Sequence, residues 1–125
     1  VLERAAKYSK ERVTFGKPIC ENQAIAFKLA EMATQIDVAR AMLYNTARMS
    51  DNGVPFSKEA TMTKLFCSEM CVRVCDMGLQ IMGGYGLCDD YQVERMYRDA
   101  KLLTIGEGTS EICRMVIGRH VLKEY

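Results

Sequence analysis

Residues 22–50 read NQAIAFKLAEMATQIDVARAMLYNTARMS, and the spacing of the apolar residues in this stretch sets the expected architecture. These residues recur at steps of four or three, at Ile25, Leu29, Met32, Ile36, Ala39, Leu43 and Ala47. Such spacing places them on one side of an α-helix that spans roughly 40 Å if it is unbroken. Asp51-Asn52-Gly53-Val54-Pro55 then forms a clear helix stop and turn. The pattern therefore predicts a long helix of a bundle.

A second long helix is predicted from Phe56 or Ser57 to about Met82. Its polar residues form only a thin stripe, and nearly all other positions are Ala, Met, Leu, Phe, Cys or Val. A helix that is apolar on most faces has to be covered on most faces. We expect a subunit interface as well as the bundle to cover it. A central core helix is the alternative, because methionines fill core gaps well.

Three shorter helices complete the expected fold: one from the start of the chain to near Gly16 and Pro18, one through Tyr91–Lys101 with Asp89 or Asp90 as its cap, and one from about Ser110 to Leu122. The sequence contains no internal repeat, no low-complexity segment and no alternating strand pattern of useful length. We therefore expect an all-α fold, an up-and-down four-helix bundle with an additional short helix, as a single domain over residues 1–125.

Composition narrows the classes of function. A chain of 125 residues with 49% hydrophobic content has the size of one domain and enough apolar side chains for a core. The formal net charge is +1 with both signs interspersed, so electrostatics favour neither a nucleic-acid partner nor an anionic membrane. No apolar run approaches the ~20 residues of a transmembrane helix, and nothing reads as a signal peptide. The chain opens at Val1 inside a helical pattern, which suggests a fragment of a longer protein.

The cysteines do not have the arrangement of a disulfide framework. Cys67, Cys71 and Cys75 fall at i, i+4 and i+8 on one side of a helix, where they cannot readily pair with each other. No histidine accompanies them, so we expect no metal site. The prediction is that all six cysteines are buried, reduced thiols in a reducing intracellular compartment.

The first candidate site is Gly106-Glu107-Gly108-Thr109-Ser110-Glu111. A glycine on each side leaves the Glu107 carboxylate uncrowded and lets the backbone take angles that other residues avoid. The hydroxyls of Thr109 and Ser110 can cap the next helix, so Glu107 should project near its positive end. An ordinary loop acid before a capped helix is the alternative, since turns of this composition are common.

Two further stretches are weaker candidates when they are considered alone. Arg12, at the end of the first helix, reads as a solvent-exposed helix charge. Gly83-Gly84-Tyr85-Gly86 either caps the second long helix or lets the pyrophosphate of a cofactor approach the backbone. It is not the dinucleotide-binding fingerprint, because its spacing differs and no strand precedes it.

Four stretches, in this order along the chain, resemble motifs of the acyl-CoA dehydrogenases: Glu11-Arg12-Val13-Thr14-Phe15-Gly16-Lys17-Pro18, Gln80-Ile81-Met82-Gly83-Gly84-Tyr85-Gly86, Arg98-Asp99-Ala100-Lys101 and Ile105-Gly106-Glu107-Gly108-Thr109-Ser110-Glu111-Ile112. The chain most resembles the short-chain, butyryl-CoA-type members. The similarity covers essentially the whole chain but only the last of the family's three domains.

The resemblance implies an FAD-dependent enzyme that oxidises a short acyl-CoA to the 2,3-enoyl-CoA. It implies a homo-oligomer, dimer or tetramer, with electron-transfer flavoprotein as the electron acceptor, in the bacterial cytoplasm or the mitochondrial matrix. Glu107 is implied as the catalytic base and Gly108 as an acyl-CoA contact. The implied FAD contacts are Arg12, Gln23, Gln80, Ile81, Met82, Gly83, Gly84, Thr109, Ser110 and Glu111.

Arg12 would reach the pyrophosphate of an FAD held mainly by a neighbouring subunit, since a guanidinium can donate two parallel hydrogen bonds to phosphate oxygens. The isolated domain is expected to be inactive and to hold FAD weakly. Many short- and medium-chain members carry an aromatic residue where this chain has Gly106, so the acyl length and branching stay open. Two other functions also stay open: a non-catalytic helical oligomerisation module, and an acyl-CoA oxidase or flavin monooxygenase.

Overall fold

The two long helices form where the apolar spacing predicts them. The computed structural model describes all 125 residues and contains five α-helices, α1 (Leu2–Glu11), α2 (Gln23–Asp51), α3 (Ser57–Met82), α4 (Val93–Leu103) and α5 (Ser110–Glu124). Short 3-10 turns occupy Ile19–Glu21, Gly83–Leu87 and Asp89–Tyr91. The all-α prediction is confirmed.

Helix α3 is the centre of the bundle. Each of the other four α-helices packs against it, and it exposes only Ser57, Met62, Arg73, Asp76 and Gln80 to solvent. The main buried cluster joins α1, α2 and α3 through Ala5, Ile19, Met32, Val74 and Ile81. Its central place accounts for part of the apolar character of α3. More than half of its residues stay half-exposed in the single chain, and the expected subunit interface stays a prediction.

Polar contacts fix how the helices lie on α3. The hydroxyls of Thr46 in α2 and Thr63 in α3 are buried and 2.8 Å apart. At the start of α3, Lys58 Nζ donates to the carboxylate of Glu124 in α5 at 2.6 Å. These contacts join α2 and α5 to the central helix.

The first helix ends earlier than predicted. Helix α1 stops at Glu11, because Val13–Thr14 (β1) and Lys17–Pro18 (β2) form a small antiparallel hairpin. Its turn residues Phe15 and Gly16 have φ values of +51° and +81°, as a tight hairpin turn requires. Two-residue strands are too short to show an alternating pattern, so the hairpin could not be predicted from the sequence.

Helix α4 also starts later than predicted. Neither Asp89 nor Asp90 caps this helix, because both lie in a 3-10 turn and the helix begins after Gln92, which has a φ of +57°. Arg4 of α1 holds that turn by donating to the Tyr91 carbonyl and the Gln92 side chain, each at 3.1 Å. A contact between distant elements therefore sets the helix start.

The cysteine prediction is confirmed in one respect and wrong in another. All six thiols are free, but only Cys75 and Cys113 are buried and Cys88 is exposed. No three His, Cys, Asp or Glu side chains cluster closely enough to hold a metal ion. None of the helices has the length and apolarity that crossing a membrane requires.

Much apolar surface remains uncovered in this chain. Only 18 of 125 residues are buried. Large exposed apolar side chains include Phe15, Phe27, Leu43, Tyr44, Leu87, Leu102 and Ile105. Exposed apolar surface on this scale is typical of a domain that packs against other protein surfaces.

Candidate active site

The α4–α5 loop, Thr104–Thr109, presents Glu107 on an unusual backbone. Glu107 has a φ of +54° and Gly108 a φ of +97°, whereas Gly106 does not adopt a positive φ. Of the two glycines, only Gly108 adopts a backbone conformation that favours glycine. The residue with a strained backbone is Glu107 itself. A backbone hydrogen bond of 3.1 Å from the Ser110 N–H to the Thr104 carbonyl closes the loop.

Glu107 faces a cavity of about 290 Å³ between α3 and α5. The other lining residues are Ala60, Thr61, Lys64, Gly108, Ile112, Cys113 and Val116. The residue is exposed, and its carboxylate makes neither a hydrogen bond nor an ion pair within the chain. A carboxylate that is free on an apolar-walled cavity is available to accept a proton from a bound molecule.

The start of α5 follows the capping prediction at one hydroxyl and departs from it at the other. Thr109 Oγ1 accepts a hydrogen bond from the Ile112 N–H at 3.3 Å and is the N-cap. Ser110 does not cap the helix. Its side chain is 6% exposed, and its Oγ has no hydrogen-bond partner. Glu111 is held by its own N–H and by the Thr109 hydroxyl, which lower the pKa of its carboxyl group.

Thr109, Ser110 and Glu111 line a second cavity, of about 370 Å³, on the other side of the loop. Lys101 of α4 and Arg73 of α3 line it as well. This second cavity shares no lining residue with the Glu107 cavity. The loop therefore separates Glu107 from Thr109, Ser110 and Glu111. On the second side the cations Arg73 and Lys101 are accompanied by the carboxylates of Glu69 and Glu111.

Arg12 and the glycine stretch meet in a third place, which we call the arginine groove. This groove of about 580 Å³ is lined by Tyr8, Arg12, Thr14, Ile19, Ile81, Met82, Gly83, Gly84, Tyr85 and Cys88. The Arg12 guanidinium carbon lies 5.6 Å from the centre of the Tyr85 ring, a cation–π contact. Tyr85 in turn packs against Tyr8 and Tyr91, with ring centres 6.0 and 5.7 Å away. A guanidinium held on an aromatic ring beside bare backbone can bind an anionic group.

Four predicted FAD contacts have a smaller part in this groove or none. Ile81 and Met82 are 4% and 3% exposed and belong to the core, so little of either residue can meet a ligand. Gln80 and Gln23 are exposed, and neither lines the groove. Gln23 is the first residue of α2.

The carboxylate and the arginine groove lie near opposite ends of α3. Lys64 borders the Glu107 cavity and Ile81 borders the groove. At the rise of an α-helix these two positions are roughly 26 Å apart. Within a single chain, the structure therefore does not bring Arg12 and Glu107 to one site.

Two residues of these sites were missed by the sequence reasoning. Lys64 donates a hydrogen bond to the Gly108 carbonyl, although 44 positions separate the two residues. Tyr85 supports Arg12, although it reads as the variable position of a glycine stretch. Lys64 interrupts an apolar run of α3, and an isolated cation there was the only sign of its contact.

The family model described as the acyl-CoA dehydrogenase C-terminal domain matches residues 1–122. The chain belongs to the acyl-CoA dehydrogenase family. All four motif stretches lie within the matched residues.

Individual relatives support the same assignment. The probable acyl-CoA dehydrogenase YngJ of Bacillus subtilis is 55% identical over 122 residues, 98% of this chain and 32% of the relative. The caffeyl-CoA reductase–Etf complex subunit CarC of Acetobacterium woodii is 49% identical over 123 residues, with 98% and 32% covered. The structure of butyryl-CoA dehydrogenase from Megasphaera elsdenii superposes with a TM-score of 0.94 at 45% identity, with 97% and 32% covered. The chain thus spans about a third of the length of these relatives.

Proposed function

We propose that these residues form the C-terminal domain of a longer, FAD-dependent acyl-CoA dehydrogenase in which Glu107 is the catalytic base. The observation that carries this proposal is that Glu107 lines a cavity and that its carboxylate has no hydrogen-bond or ion-pair partner in the chain. A loop acid with only a structural role would be expected to cap a helix or to pair with a cation. Here Thr109 already provides the cap.

The reaction requires the Glu107 carboxylate to lie close to the α-proton of the substrate. The α-proton of an acyl thioester is only weakly acidic, so a carboxylate must lie within about 3 Å of it to accept it. Ile112 and Val116 give the cavity apolar walls, and an acyl chain against them would exclude water from the carboxylate. FAD, when bound, accepts the β-hydrogen as hydride.

The residues of this chain fit FAD at two surfaces. The arginine groove offers the Arg12 guanidinium to a pyrophosphate and, at Gly83, a backbone with a φ of +57° and no side chain in the way. The start of α5 offers the unpartnered Ser110 hydroxyl beside Lys101. These groups are of the donor type that phosphate and flavin oxygens need.

The distance between the two surfaces supports an FAD site to which two copies of the chain contribute. Arg12 and Glu107 lie near opposite ends of α3, and the short ribityl chain of one FAD does not reach from one end to the other. We therefore propose a homo-oligomer, a dimer or a tetramer, in which Arg12 of one copy contacts the FAD whose substrate meets Glu107 of another. The exposed apolar side chains of α2 and of the α4–α5 loop are available for such contacts.

The sequence leaves open whether Gly106 affects the choice of substrate. A Cβ at this position would meet the Leu102 carbonyl oxygen at 3.4 Å, an ordinary contact, so the fold itself tolerates a side chain here. That Cβ would lie against Leu102 of α4, and Gly106 does not line the Glu107 cavity, so Gly106 does not decide whether a branch fits. We propose a short acyl-CoA as the substrate, from the resemblance to the short-chain members.

Electron-transfer flavoprotein is the proposed electron partner. The relative CarC is named as a subunit of a reductase–Etf complex, and that name favours a second candidate, an enoyl-CoA reductase. The same residues serve both directions, because Glu107 would return its proton to the α-carbon when the reaction runs backwards.

Anaerobic addition of straight and branched short acyl-CoAs to the full-length protein tests the proposal. We expect the flavin absorbance to bleach, with the extent reporting the chain preference. Reoxidation of the reduced protein by enoyl-CoA would identify the reductase direction, and rapid oxygen consumption would instead indicate an oxidase. The proposal would be overturned if none of the acyl-CoAs bleached the flavin and no enoyl-CoA reoxidised the reduced flavin. That result would fit the non-catalytic oligomerisation module.

A further inference from the structure

The residue that follows Glu107 is held by a cation from the central helix. Lys64 Nζ donates a hydrogen bond to the carbonyl oxygen of Gly108. Lys64 is half-buried and has no carboxylate within ion-pair distance, so this carbonyl is the one group in the chain to which its ammonium donates.

The loop needs such a restraint. Glu107 and Gly108 are two consecutive residues with positive φ, and Glu107 lacks the freedom of glycine at that conformation. Strained backbone of this kind persists only where the surrounding structure holds it. The other contact of the Gly108 carbonyl is the Cys113 thiol at 3.9 Å, and a thiol is a weak donor.

We propose that Lys64 is a positioning residue for the catalytic base. It fixes the Gly108–Thr109 peptide plane, which adjoins the Glu107–Gly108 plane, and so limits how the backbone can rotate next to Glu107. Its side chain borders the same cavity as Glu107, so the restraint acts at the wall of the substrate site. This inference rests on the proposed function of Glu107.

The chain offers a matched control. Lys58 also lies on α3 and also reaches across to the last helical segment, where it binds Glu124 of α5. That contact is at the far end of α5 from the α4–α5 loop. Lys58→Met therefore removes a lysine contact of the same kind without touching the loop.

The test compares Lys64→Met, Lys64→Arg and Lys58→Met with the wild type in the full-length protein, using butyryl-CoA. The rate of anaerobic flavin bleaching is measured per bound flavin across a range of butyryl-CoA concentrations. We expect Lys64→Met to slow the limiting rate by up to about 10²-fold, since misplacement of a reacting group by about 1 Å has an effect of this size. The concentration at half-maximal rate should change by less than about threefold, because binding and chemistry are affected separately.

Two further results should accompany the slower rate. Lys64→Arg should restore most of it, because arginine keeps a cationic donor. Exchange of the Ser110 amide hydrogen, which bonds to Thr104 across the loop, should be faster by about tenfold or more in Lys64→Met and unchanged in Lys58→Met.

Two results would overturn the inference. The first is a bleaching rate per bound flavin in Lys64→Met equal to that of the wild type, which would show a merely structural role even if the FAD content were lower. The second is equal slowing in Lys64→Met and Lys64→Arg. A wild-type protein that does not bleach would instead refute the function of Glu107, and amide exchange at Ser110 would still report whether Lys64 orders the loop.

Discussion

The positive φ of Glu107 predicts a conflict between stability and activity at this residue. Replacement of Glu107 by glycine should relieve the backbone strain, whereas replacement by alanine should keep it. Both variants lose the carboxylate, which has no partner in the chain, so the backbone is the main difference between them.

The size of the effect follows from two opposing terms. A left-handed conformation costs a residue with a Cβ about 1–2 kcal/mol, which Glu107→Gly would recover. Glycine also gains entropy in the unfolded chain, which lowers stability by about 0.4–1 kcal/mol. The net expectation is that Glu107→Gly is more stable than Glu107→Ala by about 1 kcal/mol.

Urea denaturation of the chain measures this difference. With a denaturant slope of about 2 kcal/mol per molar, the midpoint of Glu107→Gly should lie about 0.5 M above that of Glu107→Ala. The slopes must agree for the comparison to hold. If Glu107→Gly has the same midpoint as Glu107→Ala or a lower one, Glu107 is not strained and the reasoning about the α4–α5 loop is refuted.

Three other predictions concern contacts elsewhere in the chain. Thr46→Val leaves the buried Thr63 hydroxyl without a partner and should lower the free energy of unfolding by about 1–3 kcal/mol. Thr63→Val should cost less, because Thr46 stays bonded to a backbone carbonyl of α2. Equal losses for the two variants in urea titrations would contradict this. Arg12→Gln should weaken FAD binding by the full-length protein about 10–100-fold, and an unchanged dissociation constant in fluorescence titrations would remove Arg12 from the cofactor site. The hydrogen bond from Arg98 holds the pKa of Glu94 below its ordinary value of 4.5. The contribution of Glu94 to stability is therefore present above pH 4.5 and is lost as the pH falls through the lowered pKa. Glu94→Gln should flatten the acid side of a plot of Tm against pH, and an unaltered plot would contradict this.

The helices could be predicted from the sequence where stop signals flank a long apolar repeat. Helices α2 and α3 begin and end within a residue of expectation, because Asn52-Gly53 and Gly83 interrupt the repeat. The hairpin after α1 was missed, since a pair of two-residue strands has no pattern to read. The start of α4 was wrong because it depends on Arg4, a residue about 90 positions away.

The site could be predicted as a set of residues but not as an arrangement. The motifs pointed to Arg12, the glycine stretch and Glu107, and the structure places the first two in one groove and the third near the other end of α3. The strain at Glu107 and the Lys64 contact depend on how α3 and α5 meet, and local sequence carries no record of that. The side chains of Ile81 and Met82 belong to the core for the same reason, since the packing of α1 on α3 covers them.

The most direct test of the account is single-turnover bleaching of the flavin by butyryl-CoA in full-length Glu107→Gln, measured anaerobically beside the wild type. Glutamine keeps the size of the side chain and cannot accept the α-proton as a carboxylate does. The account predicts a loss of at least ~10²-fold in the bleaching rate, typical of the removal of a positioned base, with FAD content unchanged. A Glu107→Gln protein that bleaches as fast as the wild type would show that Glu107 is not the base.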